Sequence, residues 1–268
     1  MVNTFDTITL MIRCLLFTTV IWASTGCGST PKSTPVVEPL RIAAASDLQT
    51  VMPILIERFH ASKGINAVAT FGSSGQLAQQ IRQGAPFDVF LSANRKFVID
   101  LASAKVIDPM SVRDYAIGTL VLVVRNDVAD KIESLADLRD SSVKKVALAN
   151  PETAPYGAAA KQALTRAGLW QELEPKRVQA ETVRQALQFI QTGNVEAALV
   201  GSAIAKVEGV RAFPIDPALY ETLWQSVGVT TLSKRPSDAI AFSEFLRGDE
   251  GQKVLSVAGF RLPSEYRK

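Results

Sequence analysis

Arg41-Ile42-Ala43-Ala44-Ala45-Ser46-Asp47 is a run of small apolar residues that ends on a hydroxyl and a carboxylate. Ala69-Thr70-Phe71-Gly72-Ser73-Ser74-Gly75 has the same design, closing on Gly-Ser-Ser-Gly. Each reads as an apolar strand that feeds a helix, and the first N–H groups of a helix have no intrahelical acceptor. Such ends favour anions through free donors and the helix dipole. Taken singly, each serine is also an ordinary N-cap. Taken together, with Gly72 and Gly75 permitting close backbone approach, they point to a small anion held by neutral donors.

The alternation continues outward from these two stretches. Leu48, Val51, Met52, Leu55, Ile56 and Phe59 follow helical spacing, with Pro53 in an early turn. Val68–Phe71 and Phe87–Leu91 read as strands, and a helix is expected near Asn94–Ala104. Ile117–Val124 is a longer β-type run, Ser134–Leu138 a short capped helix and Lys145–Ala149 a strand. Asn150-Pro151-Glu152-Thr153-Ala154-Pro155-Tyr156-Gly157 is a loop opening a helix over Ala158–Ala167, so the Tyr156 and Gly157 N–H groups also lack intrahelical partners. Glu181-Thr182-Val183 opens a further helix to Gln191, Val195–Val200 is a strand, Val227–Leu232 another, and Pro236 starts a helix. Strands alternating with helices argue for mostly parallel sheets flanked by helices. Long extended runs near 117–124 and 223–232 suggest two lobes joined by crossing strands.

The 268 residues are 47% hydrophobic and 21% charged, with a net charge of +3. Lys and Arg are scattered, with no basic stripe interleaved with aromatics, so nucleic acid is not an expected partner. Arg13, the apolar run Cys14–Ala23 and the small residues Ser24-Thr25-Gly26 before Cys27 have a signal-peptide layout. Asp6 and the lack of a cation before Met11 make Met11 a candidate start. The approach to Cys27 resembles a bacterial lipobox, with Ser24 where leucine is usual, so Cys27 is the expected lipidation site. The Ser/Thr/Pro-rich stretch after it suits a tether. Cys14 falls in the removed segment, which leaves the mature chain no disulfide and no cysteine nucleophile.

Enzyme chemistry finds little footing. The single histidine, His60, lies near the end of an amphipathic helix and reads as a solvated residue. There is no Gly-x-Ser-x-Gly elbow, and Gly72-Ser73-Ser74-Gly75 lacks the Gly-Lys-Ser/Thr of a P-loop. Asp47 and Asp88 are isolated in sequence, and Asp88 reads as a structural residue. No nucleophile is paired with a base.

Ala43–Leu48, Phe71–Ile81, Gly84–Ala93 and Asn150–Ala159 together resemble the periplasmic molybdate-binding proteins of ABC uptake systems, a similarity running from Arg41 to about Leu262. The resemblance implies an α/β, two-lobed periplasmic-binding-protein fold of type II around a ligand cleft. The expected layout is a signal peptide at 1–26, a tether at 27–39, lobe 1 at 40–118 and 227–268, and lobe 2 at 119–226. The implied ligand is molybdate or tungstate, with no cofactor and no cation as direct metal ligand. By position, Ser46, the Asp47 N–H and Ser74 would bind from lobe 1, and the Tyr156 and Val183 N–H groups from lobe 2. Some members add a tyrosine hydroxyl from a strand near the hinge, where this sequence has Val200. The expected partner is an ABC permease, and the protein a monomer in the periplasm or at the outer face of the cytoplasmic membrane, anchored by Cys27. The alternatives are a receptor for sulfate or phosphate, or a secreted enzyme on the same scaffold.

Overall fold

The structure, a computed structural model, describes residues 38–266. The expected signal segment 1–26, Cys27 and all but the end of the expected tether lie outside them.

Leu40–Ala45 forms β1 with Leu40, Ile42, Ala43 and Ala44 wholly buried, as a strand covered on both faces requires. It pairs in parallel with β2 (Ala67–Gly72) on one side and β3 (Val89–Ser92) on the other. β4 (Arg113–Gly118) and the late strand β10 (Leu223–Val229) complete a five-stranded sheet of order β2-β1-β3-β10-β4, with β10 antiparallel to both neighbours. A second sheet repeats the plan. It consists of β5 (Leu120–Arg125), β6 (Val146–Ala149), β7 (Arg177–Ala180), β8 (Ala197–Gly201) and β9 (Val210–Pro214), in the order β7-β6-β8-β5-β9. Here β6 is parallel to β7 and β8, and β5 is antiparallel to β8 and β9. Each sheet is the centre of one lobe of a two-lobed periplasmic-binding-protein fold.

The helices are α1 (Met52–Lys63), α2 (Ser74–Arg82), α3 (Arg95–Ser103), α4 (Pro155–Arg166), α5 (Val183–Gln191), α6 (Pro236–Arg247) and α7 (Asp249–Ala258). In α5 the buried positions Val183, Ala186, Leu187 and Ile190 follow helical spacing and pack against β6 and β8. Phe59 of α1 meets Phe242 and Phe245 of α6 at ring-centroid distances of 5.0 and 5.5 Å, closing one face of the first sheet.

Three local expectations differ from the structure. The run at 117–124 is two strands: β4 ends at Gly118 in the first sheet and β5 begins at Leu120 in the second, so the chain changes sheets at Thr119. Both pieces are apolar because both are buried, and periodicity does not mark the change of sheet. The late strand, Leu223–Val229, starts where the extended run at 223–232 does, but it stops short of Leu232, and all of it lies in the first sheet. Ser46–Leu48 is a single 3-10 turn, and the helix proper begins at Met52. Ser46 and Asp47 therefore stand in a single turn with no long helix dipole behind it.

Candidate functional site

Two pairs of neighbouring parallel strands, one pair in each sheet, deliver the site. β1 and β2 lead directly into Ser46 and Ser73, while β6 and β7 lead to the starts of α4 and α5. Ligands of open α/β sheets collect outside such carboxyl ends. Ser46, Asp47, Ser74, Tyr156 and Val183 all line one cavity, together with Ala45, Gly72, Ser73, Ala93, Ala154 and Pro155. Its cavity volume is only about 10 Å³, far below the roughly 300–1,000 Å³ typical of pockets for organic ligands. The space suits a compact ion.

The donors follow from position in each helix. Ser74 and Val183 are the first residues of α2 and α5, and Tyr156 the second of α4, so their N–H groups have no intrahelical acceptor. The Ser74 hydroxyl accepts from the Ala93 N–H at 3.0 Å, which leaves its own hydrogen free to donate. The Thr182 hydroxyl caps α5 by accepting from the Gln185 N–H at 3.1 Å. Ser73, passed over in sequence, is the N-cap of α2 yet makes no side-chain cap bond, and its buried Oγ has no partner. Only its N-cap position could have singled it out, and that position has an ordinary explanation.

No Lys, Arg or His lines the cavity, and Asp47 is its one ionisable acid. The Asp47 carboxyl is buried; desolvation pushes its pKa up to about 6, against the Tyr156 hydroxyl, the Gln225 amide and the nearby backbone N–H groups, which favour the anion. Gln225 of β10 donates to Asp47 Oδ2 at 3.0 Å and to the Tyr156 hydroxyl at 3.3 Å, and accepts from Tyr115 of β4 at 3.3 Å. Burial first, and then the Asp47 charge, hold both tyrosine hydroxyls well above their ordinary range. This network joins a turn of lobe 1, a helix of lobe 2 and two strands beside the crossing. Sequence reading missed Gln225 and Tyr115 because their partners lie 178 and 110 residues away.

Val200 is buried in β8 opposite Val121 and is not among the residues lining the cavity. The neighbouring Gly201 lies under the ring of Tyr156, where a Cβ would come within 2.9 Å of two ring carbons. The tyrosine at this corner thus comes from α4 rather than from β8. Asp88 is structural: its carboxylate accepts from the Arg41 N–H at 2.8 Å and from the Ser233 hydroxyl at 2.7 Å. His60 is exposed on α1.

The lobes touch across the cleft. The Gly75 N–H donates to the Thr153 carbonyl at 2.8 Å, and Gln76 Nε2 donates to Glu181 at 2.9 Å. Among the described residues, no group of His, Cys, Asp and Glu is arranged to hold a cation.

Known proteins share this frame. The family model for bacterial extracellular solute-binding proteins matches residues 40–261. The molybdate-binding protein ModA of Azotobacter vinelandii is 31% identical over 228 residues, 83% of this chain and 90% of that protein. A putative ABC transporter substrate-binding lipoprotein of Bacillus subtilis, YvgL, is 31% identical over 88% of this chain and 92% of its own length. The solved periplasmic molybdate-binding protein of Azotobacter vinelandii superposes with a TM-score of 0.78 at 29% identity, covering 84% of this chain and 99% of that one. The chain belongs to the family of bacterial extracellular solute-binding proteins.

Proposed function

We propose that this protein captures molybdate or tungstate outside the cytoplasm and passes it to the permease of an ABC transporter, without catalysis and without a cofactor. The observation that carries the reading is the convergence of Ser46, Asp47, Ser74, Tyr156 and Val183, from both lobes, on one small cavity with no cation in its wall. The Ser46 and Ser74 hydroxyls and the N–H groups of Asp47, Tyr156 and Val183 are the proposed donors. Ser73 is an additional hydroxyl on the same wall. Neutral donors complement a dianion without the desolvation penalty of burying a lysine or arginine. Relatives named for molybdate, at about 30% identity over most of the chain, support this ligand over other oxyanions. The proposed working form is a monomer held by a lipid on Cys27, a reading supported by the lipobox-like approach to that residue and by the lipoprotein name of the Bacillus subtilis relative.

Calorimetric titration with molybdate, tungstate, sulfate and phosphate tests the assignment. Tight binding of molybdate and tungstate is expected. Tight sulfate binding with no response to molybdate would replace the ligand, and turnover of an added ester would replace the class.

A further inference from the structure

One wall of the cavity carries a group of the wrong sign for an anion site. Asp47 is 1% exposed, its Oδ2 accepts from Gln225, and its Oδ1 is buried with no partner. The polar groups facing it are Tyr115 of β4, Tyr156 of α4, Gln225 of β10 and the backbone N–H groups of Asp47 and Leu48, none of them cationic. Of the elements packed on the Ser46–Leu48 turn, α5 brings Arg184, which lines with Glu181 and Gln49 the adjoining hollow on the other side of Ser46, and the Ser202–Ile204 turn brings no charge.

Molybdate and tungstate at neutral pH are dianions without protons, so they accept hydrogen bonds and donate none. Beside such an ion, an ionised Asp47 would place like charges together in a dry site and leave Oδ1 without a donor. A neutral carboxyl removes the repulsion and turns the unpartnered oxygen into an O–H donor. Resting on the oxyanion reading above, we propose that Asp47 is a specificity-determining residue that accompanies the bound ion as the neutral acid, so that each molybdate or tungstate captured brings one proton from solvent onto Asp47 Oδ1. Hydrogen phosphate would carry its own donor and pair with the ionised carboxylate instead, so the location of the proton separates the two ligand classes.

The closed cleft already leans this way. Burial lifts the carboxyl to about 6 before any ion is considered, which brings the neutral acid within reach near pH 7. The dianion has only to enlarge the neutral population.

The test is calorimetry of the full-length protein with sodium molybdate between about pH 6 and pH 8.5, where the ligand carries no proton, in buffers of different ionisation enthalpy. The expected result is uptake of close to one proton per ion at the upper end of the range. Affinity should fall there toward tenfold per pH unit. Asp47→Asn, whose amide donates at every pH, should remove both the proton uptake and the slope, and should bind molybdate more tightly than wild type at pH 8.5. Binding of molybdate by the wild type with a flat pH profile and no proton uptake overturns the proposal while leaving the function intact. The same slope in Asp47→Asn also overturns it. Phosphate binding that strengthens as pH rises, with molybdate ignored at every pH, removes the ligand reading and this inference with it.

Discussion

Ser46 and Ser74 differ in what their hydroxyls already do. Ser74 holds the buried Ala93 N–H, whereas among the described residues no such bond is found at the Ser46 hydroxyl. Both are expected to donate to the ion, and a hydrogen bond to a charged group contributes about 1.5–3 kcal/mol. The double variant Ser46→Ala, Ser74→Ala should therefore lose at least about 100-fold in molybdate affinity by calorimetry. Unchanged affinity removes these serines from the site. Ser74→Ala alone should also lower the melting temperature, because it strands the Ala93 donor. Asp47 acts on stability in the opposite direction. Its folded pKa of about 6 lies above the ordinary 3.8, so the folded state binds the extra proton between those values. Stability accordingly falls as pH rises from about 4 to about 6 and levels off beyond. The shift corresponds to at most about 3 kcal/mol. Asp47→Asn should raise the melting temperature at pH 7.5, and its advantage should vanish below about pH 4; an equal advantage at both pH values argues against a buried, strained carboxylate.

At the scale of elements, the start of α4 is seated against the end of β6. A Cβ on Gly157 would collide with the Ala149 carbonyl and come within 2.8 Å of the Asn150 carbonyl carbon. Backbone cannot step aside as a flexible side chain can, so Gly157→Ala should push α4 off its strand. A loss of about 1–3 kcal/mol is expected in urea unfolding, together with weaker binding because the Tyr156 N–H moves. A wild-type unfolding midpoint would show that this junction yields. The serine-bearing strand ends and the helices behind them are legible in sequence because each is a local pattern. Strands β7 and β9 and helix α7 escaped the sequence reading. β7 and β9 have mostly half-exposed residues at the outer edges of their sheet, where apolar patterning is weak. For α7, residues Asp249–Ala258 start directly after Gly248 at the end of α6, so no loop announces it.

For the whole molecule, closure depends on close approach of two backbones. A Cβ on Gly75 would lie 2.8 Å from the Thr153 carbonyl oxygen on the opposite lobe. Within its own lobe Gly75 is a first-turn position of α2, where the helix accepts alanine, and the added Cβ would meet only the tip of the Phe97 ring at 3.2 Å, a side-chain end that can shift by a few tenths of an ångström. Gly75→Ala should thus leave the melting temperature of the ion-free protein within about 0.5 kcal/mol of wild type. It should nevertheless weaken molybdate binding and prevent the compaction that small-angle scattering is expected to show when the wild type is titrated with the ion. Full compaction of the variant would mean that the Gly75–Thr153 contact does not limit closure. Wild-type protein at 100 times its dissociation constant should gain about 2.7 kcal/mol of stability from the ligand alone.

Sequence alone determined the chemistry of each loop: strands that end on Ser46 and Ser73-Ser74, a proline-led start at Tyr156 and a threonine-capped one at Val183. These are local properties, set by spacing and by the missing acceptors of a helix's first turn. Tertiary structure decided that those four starts meet in one cavity, that the chain changes sheets at Thr119, and that Tyr156 covers Gly201. It also turned Asp47 from an isolated acid into a buried group held by Gln225 from far along the chain. Burial is a property of what surrounds a residue, and here the surroundings come from both lobes and the strand that returns between them.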